Sequence, residues 1–189
     1  MNNAKLFAFA APSGGGKTSI IKPLLLRHPD FEFSVSATTR SMRPGEVNGK
    51  DYFFLSKEEF EALIAQGQFV EHEFFFGNHY GTLKREVDRS LNAGHSMIFD
   101  IDVKGALSIR AMYPNDSVLI FIAPPSVEVL EQRLRNRKTE TEEKIQQRLL
   151  RMTMELEAGK QFDVTVINDD LERAITEVDS IIKKHITHY

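Results

Sequence analysis

Apolar residues along this chain fall into short unbroken runs, separated by stretches where they recur every three or four positions. The runs at 6–11 (LFAFAA), 96–100 (SMIFD), 117–122 (SVLIFI) and 164–167 (VTVI) predict buried strands. The stretches between them predict helices, the first over about 16–28. The last places Leu171, Ile175, Val178 and Ile182 on one face, which should pack on a sheet. Such alternation predicts an α/β fold: a parallel sheet flanked by crossover helices. Pro23 falls inside the first helix, where a missing N–H predicts a kink.

Helix start signals sharpen the pattern. Ser56 and Glu59 form an S-x-x-E capping box, with Gly67 as the stop. Thr139 and Glu142 repeat the device before a long charged helix ending near Gly159. Two segments interrupt the simple alternation. Residues 36–83 hold short strands, aromatics and paired arginines; residues 126–160 are helical and heavily charged. Both read as flaps inserted into one domain whose core is 1–35, 84–125 and 161–189. Phe74, Phe75 and Phe76 are expected in the core of the first flap.

Composition removes several functional classes. There are no cysteines, so disulfides and thiolate metal sites are excluded and a reducing compartment fits. No apolar run approaches a membrane span and residues 1–5 lack a leader pattern, so a cytoplasmic protein without a membrane partner is expected. A net charge of −3 argues against general nucleic-acid binding. The six histidines lack metal-ligand spacing and read as surface or packing residues.

One stretch names a ligand. Ala11, Pro12, Ser13, Gly14, Gly15, Gly16, Lys17, Thr18 and Ser19 lie between the first strand and the first helix. The phosphate-loop pattern is G-x-x-x-x-G-K-[ST], and only its first glycine is replaced, by Ala11. Small residues let backbone N–H groups converge on a polyphosphate; a lysine reaches the outer phosphates and a hydroxyl can hold Mg²⁺. Nucleotide binding is therefore expected. Arg40 and Arg43, with two residues between them in a Pro/Gly loop, could grip one anion or lie solvated.

Asp100 and Asp102 end the 96–100 run with i, i+2 spacing, on the side of the sheet where ligands bind. Asp102 can also cap a helix starting at Val103, and Asp169 or Asp170 one starting near Leu171. In the charged segment Arg133 and Arg137 share a helical face, whereas Arg135 points elsewhere and reads as part of a solvated face with Glu–Arg pairs.

Taken in order, APSGGGKT, SVSATTR-x-x-RPGEVNGKDYFF, FVEHEFFFGNHYGT, IFDID and VINDD resemble guanylate kinase of the bacterial type over essentially the whole chain. The resemblance implies a P-loop NTPase-type parallel sheet with inserted GMP-binding and lid subdomains, ATP as phosphoryl donor and Mg²⁺ at Thr18. It implies that Arg40, Arg43, Tyr52 and Tyr80 bind the GMP phosphate, and that Ser36, Glu71 and Thr82 read guanine. Here Glu71 would accept from guanine N1–H and N2–H₂, and Ser36 and Thr82 would donate to O6.

Asp100 would lie near the metal–phosphate centre and Asp102 near GMP. Arg133, Arg137 and Arg148 would close over ATP, and Asn168 would flank adenine. Asn136-Arg137-Lys138 departs from the family's glycine-rich run after the first lid arginines. Two other functions fit the same fold: a peptide-binding scaffold without catalysis, and a kinase for another small phosphorylated acceptor. Oligomeric state is not legible.

Overall fold

The computed structural model describes residues 4–12, 14–75, 77–136 and 142–186. In chain order, strand β1 (Leu6–Ala10) leads to helix α1 (Lys17–Arg27) and strand β2 (Glu32–Phe33). Next come β3 (Ala37–Thr38), β4 (Phe53–Phe54), α2 (Lys57–Ala65), β5 (Phe69–Phe75) and β6 (Asn78–Leu83). Then follow α3 (Lys84–Ala93), β7 (Met97–Asp100), α4 (Val103–Met112) and β8 (Ser117–Ala123). The chain continues with α5 (Val127–Asn136), α6 (Glu142–Gly159), β9 (Val164–Ile167) and α7 (Leu171–Ile186).

The larger sheet runs β2-β7-β1-β8-β9, and all its pairings are parallel. Apolar side chains fill both faces of β1, which explains why its run does not alternate with polar residues. Phe7 and Phe9 pack with Ile20, Ile21 and Leu24 of α1 and Ala174, Ile175, Val178 and Ile182 of α7. Leu6, Ala8 and Ala10 face Val87 of α3 and Val103, Ala106 and Ile109 of α4. A fully buried Phe or Ile contributes roughly 1.5–3 kcal/mol, an exposed ion pair at most about 1. The two apolar layers therefore dominate the fold.

A second sheet, β4-β3-β6-β5, lies between β2 and α3 in sequence and carries a small core of Ala37, Phe60, Phe69 and Leu83. Both partners of the capping box before α2 are present: Ser56 Oγ accepts from Glu59 N–H and Glu59 accepts from Ser56 N–H. α1 continues through Pro23 without a break.

Two expectations change. Leu171 is 41% exposed, because it is the first residue of α7 and the packing stripe begins one turn later at Ala174. Phe74 is 62% exposed and is not core. It pairs with His79 towards the tip of the β5–β6 hairpin, beyond Tyr80 and Gly81 where β3 pairs, so no layer covers it. The side chain of Phe75, and Phe76 altogether, lie outside the described residues, as does Thr139. Arg135 is exposed, as expected, and its guanidinium pairs with Glu131 of α5 and Glu142 of α6.

One buried group had no sequence signal. His28, at the end of α1, meets Asp179 of α7 at 2.7 Å, and Lys183 holds the other Asp179 oxygen at 2.7 Å. Burial alone would raise the Asp179 pKa, but its bonds to Lys183 and His28 bring it below the ordinary value. His28 also stacks on Phe31, so its role is packing.

Candidate active site

β1 ends at the carboxyl edge of the sheet, and the chain turns back over Pro12, whose carbonyl accepts from Gly15 N–H at 2.8 Å. Gly16 then takes φ 90°, a left-handed conformation that disfavours any side chain, and α1 starts at Lys17. No acidic residue occupies the first turn of α1, so its positive end stays available to an anion. Ser13 lies outside the described residues; Thr18 and Ser19 are exposed.

Asp100 stands opposite Phe9 in the β1–β7 pairing, which brings it beside the loop. One of its oxygens is 2.8 Å from Lys17 Nζ, and the other accepts from Thr18 Oγ1 at 3.2 Å. Lys17 Nζ also donates to the Ile101 carbonyl. Lysine, hydroxyl and carboxylate thus converge at the carboxyl ends of adjacent parallel strands, the ligand side of an open α/β sheet. Thr18 and Asp100 supply the hard oxygen donors that Mg²⁺ prefers.

A single extra residue places Glu71. Phe69 pairs with Leu83, yet Glu71 pairs with Thr82, so β5 carries one residue more than β6 at Val70. In an unbroken strand Glu71 would share the face of Phe69 and enter the small core. The bulge reverses the parity, and Val70 and Glu71 both turn towards the larger domain. Gly81 permits this: a Cβ there would come within 2.7 Å of the Glu71 carbonyl.

Thr82 is buried and its hydroxyl donates to Glu71 Oε1 at 2.8 Å. A hydroxyl carries one proton, so in this arrangement Thr82 orients Glu71 and is not the expected donor to guanine O6. Burial pushes the Glu71 pKa up; the Thr82 hydrogen bond opposes this and the nearby Asp102 charge adds to it. Asp102 caps α4 by accepting from Gly105 N–H at 2.8 Å. Glu71 and Asp102 line a cavity of about 830 Å³ together with Lys104 and Met154. Residues 100–102 therefore join the phosphate loop to the Glu71 group. Ser36 is half-buried beside this sheet, with its carbonyl bonded to Phe53 N–H.

Sequence reading missed Glu46. Its carboxylate grips Arg40 through two bonds, 2.7 and 3.0 Å, and accepts from Arg43 N–H at 2.7 Å. These bonds hold its pKa down to about 2. The Arg40 guanidinium also lies 5.2 Å over the Tyr52 ring, and Tyr52 meets Tyr80 edge-on at 6.2 Å. Arg40 is thus preset, whereas Arg43 is exposed. The signal was available: Pro44-Gly45 closes a turn in which Glu46 follows Arg43 by three positions. Changing Glu46 to Gln should raise the KM for a phosphorylated acceptor roughly tenfold, with the KM for the donor unchanged. Initial-rate kinetics with each substrate varied would show this split.

Asn168 directly follows β9, is 5% exposed, and donates from Nδ2 to the Gly15 carbonyl at 2.8 Å. It thus reaches the phosphate loop. Asp170 caps α7 by accepting from Arg173 N–H. Arg133 and Arg148 fall on α5 and α6, with side chains outside the described residues, and Arg137 lies outside them altogether.

The family model for guanylate kinase matches residues 3–185. The chain belongs to the guanylate kinase family. A guanylate kinase from Chlorobium luteolum is 51% identical over 174 residues, covering 92% of this chain and 88% of the relative. One from Chlorobaculum tepidum is 47% identical over 98% of this chain and 95% of the relative. The crystal structure of guanylate kinase from Anaplasma phagocytophilum superposes with a TM-score of 0.75 at 30% identity. It covers 98% of this chain and 87% of that one. Guanylate kinase membership accounts for the P-loop NTPase fold, and nucleotides are the substrates it implies. No helix among the described residues is long and apolar enough to cross a membrane.

Proposed function

We propose that the chain transfers the γ-phosphoryl group of ATP to GMP, forming ADP and GDP, and that dGMP is also accepted. The observation that carries this reading is the placement of Glu71, held by Thr82 and joined through residues 100–102 to Lys17. Guanine offers N1–H and N2–H₂ as adjacent donors, and an ionised Glu71 accepts both. Adenine presents a lone pair at N1 and no N2 amine. A site built on substrate hydrogen bonds can reject the wrong base by as much as ~10⁴-fold.

The attacking group is a phosphate oxygen of GMP, already anionic at neutral pH, so no side chain need remove a proton. Arg40 and Arg43, with Tyr52 and Tyr80, hold that phosphate in line with the donor. Backbone N–H groups of the loop, that of Gly16 among them, and Lys17 hold the ATP phosphates. Catalysis then rests on alignment and on neutralising charge in a loose transition state. Mg²⁺ would be held by the Thr18 hydroxyl beside Asp100, and when bound would neutralise the β- and γ-oxygens. Arg133, Arg137 and Arg148 add positive charge as residues 126–160 close and exclude water. Residues 36–83 act as the acceptor-binding flap, and 1–35, 84–125 and 161–189 as the core.

Coupled assays of ADP formation with GMP, dGMP, AMP, UMP and CMP test this reading. Turnover is expected with GMP and dGMP, and at least ~10³-fold lower efficiency with AMP. Equal activity on AMP and GMP would refute base reading by Glu71. No turnover with any acceptor would favour the scaffold function.

A further inference from the structure

We propose that Asn168 is a positioning residue for the phosphate loop, one that sets the direction of the Gly16 N–H by holding the Gly15 carbonyl. The inference rests on the reading of this loop as the ATP site. The peptide between Gly15 and Gly16 is flanked by glycine on both sides, so it can turn over at little steric cost. No peptide bond among the described residues is cis. In a trans peptide the carbonyl and the following N–H point in opposite directions. The bond from Asn168 Nδ2 to Gly15 O, 2.8 Å long, therefore turns the Gly16 N–H away from Asn168, free to meet a phosphate on the other side.

Asn168 is well placed to do this. Its own N–H donates to the Ala123 carbonyl at 2.8 Å, so it is fixed by the end of the β8–β9 ladder. The fit is close: a Cβ on Gly16 would lie 2.3 Å from Asn168 Nδ2. Gly15 is closely packed too, since a Cβ there would meet Ala11 Cβ and the Pro12 carbonyl at 3.0 Å. A contact 153 residues apart in sequence thus locks one of the two glycine–glycine peptides of the loop. A role for Asn168 in reading adenine makes a different demand, because loop orientation acts on the phosphates whatever base they carry.

The test compares ATP with ITP, which carries a carbonyl oxygen in place of the adenine N6 amine. Asn168→Ala should raise the KM for ATP and for ITP by the same factor, roughly tenfold, the scale set by one lost hydrogen bond to a buried acceptor. The KM for GMP should stay within about twofold, since its site does not share this bond. Asn168→Leu, which keeps the volume but has no donor, should behave alike; melting curves establish that each variant is folded. A second readout is the Gly16 amide proton in an ¹⁵N spectrum of the full chain. Inorganic tripolyphosphate should shift it downfield in the unaltered protein and not in Asn168→Leu. A rise confined to ATP would make Asn168 a base reader and overturn the proposal. So would an unchanged KM for both donors, or a Gly16 amide that still responds in Asn168→Leu. Failure of the ATP reading has its own signature: the unaltered protein would show no Lys17-dependent binding of ATP or tripolyphosphate, and the proposal would fall with it.

Discussion

Replacing Lys17 with alanine is expected to lower turnover of ATP and GMP by at least ~10³-fold while the chain stays folded. Removing one preorganised donor from a transition-state site costs about 10²–10³ in rate, and Lys17 supplies a full charge in addition. The structural cost is small by comparison. Lys17 and Asp100 are both partly exposed at the rim of the sheet, and Asp100 keeps its bond from Thr18. Lys17→Arg is not expected to restore activity, since a guanidinium is broader than the ammonium the loop encloses. Steady-state kcat and a thermal melt on the same preparations provide the check. Turnover close to that of the unaltered protein would remove Lys17 from the mechanism.

Glu71→Gln should produce the second largest loss, about 10³-fold in kcat/KM for GMP, without loss of stability. The amide turns one acceptor into a donor that faces the guanine N–H groups, a repulsive pairing in a site removed from water. Stability should move the other way. Burial raises the folded pKa of Glu71 above its unfolded value, so folding disfavours the charged form. That penalty is present above the folded pKa and disappears as pH falls to the unfolded value. Acidification through this window should therefore weaken GMP binding while relieving the cost of Glu71. In Glu71→Gln both pH effects should be absent. Titration calorimetry with GMP and denaturant melts across the acidic range would show them; a GMP affinity independent of pH in the unaltered protein would contradict the assignment.

What could be read in advance follows the range of the interactions. The phosphate loop is a contiguous signature, and its neighbours β1 and α1 are fixed by local periodicity, so Lys17 and Thr18 were legible directly. The Ser56–Glu59 box is equally local and formed as expected. Glu46 was accessible in principle, since its partners lie within six residues, but a turn carboxylate has many uses. Asn168 to Gly15 and His28 to Asp179 join residues more than 150 apart, and no spacing rule reaches that far. Leu171 and Phe74 failed for another reason. Periodicity assigns a face, whereas burial depends on where the neighbouring element stops, and both residues lie past that point.

The extra residue at Val70 bears on how acceptor preference can be altered. Because β5 is one residue out of step with β6, positions upstream and downstream of Val70 follow opposite rules for which side faces the small core. A segment transplanted from a regular hairpin would bring its base-contacting side chain into the packed interior, however well its residues were chosen. Redesign for a different nucleobase therefore has to count positions from Thr82 on the intact strand, keep Gly81, and exchange residue 71 in place.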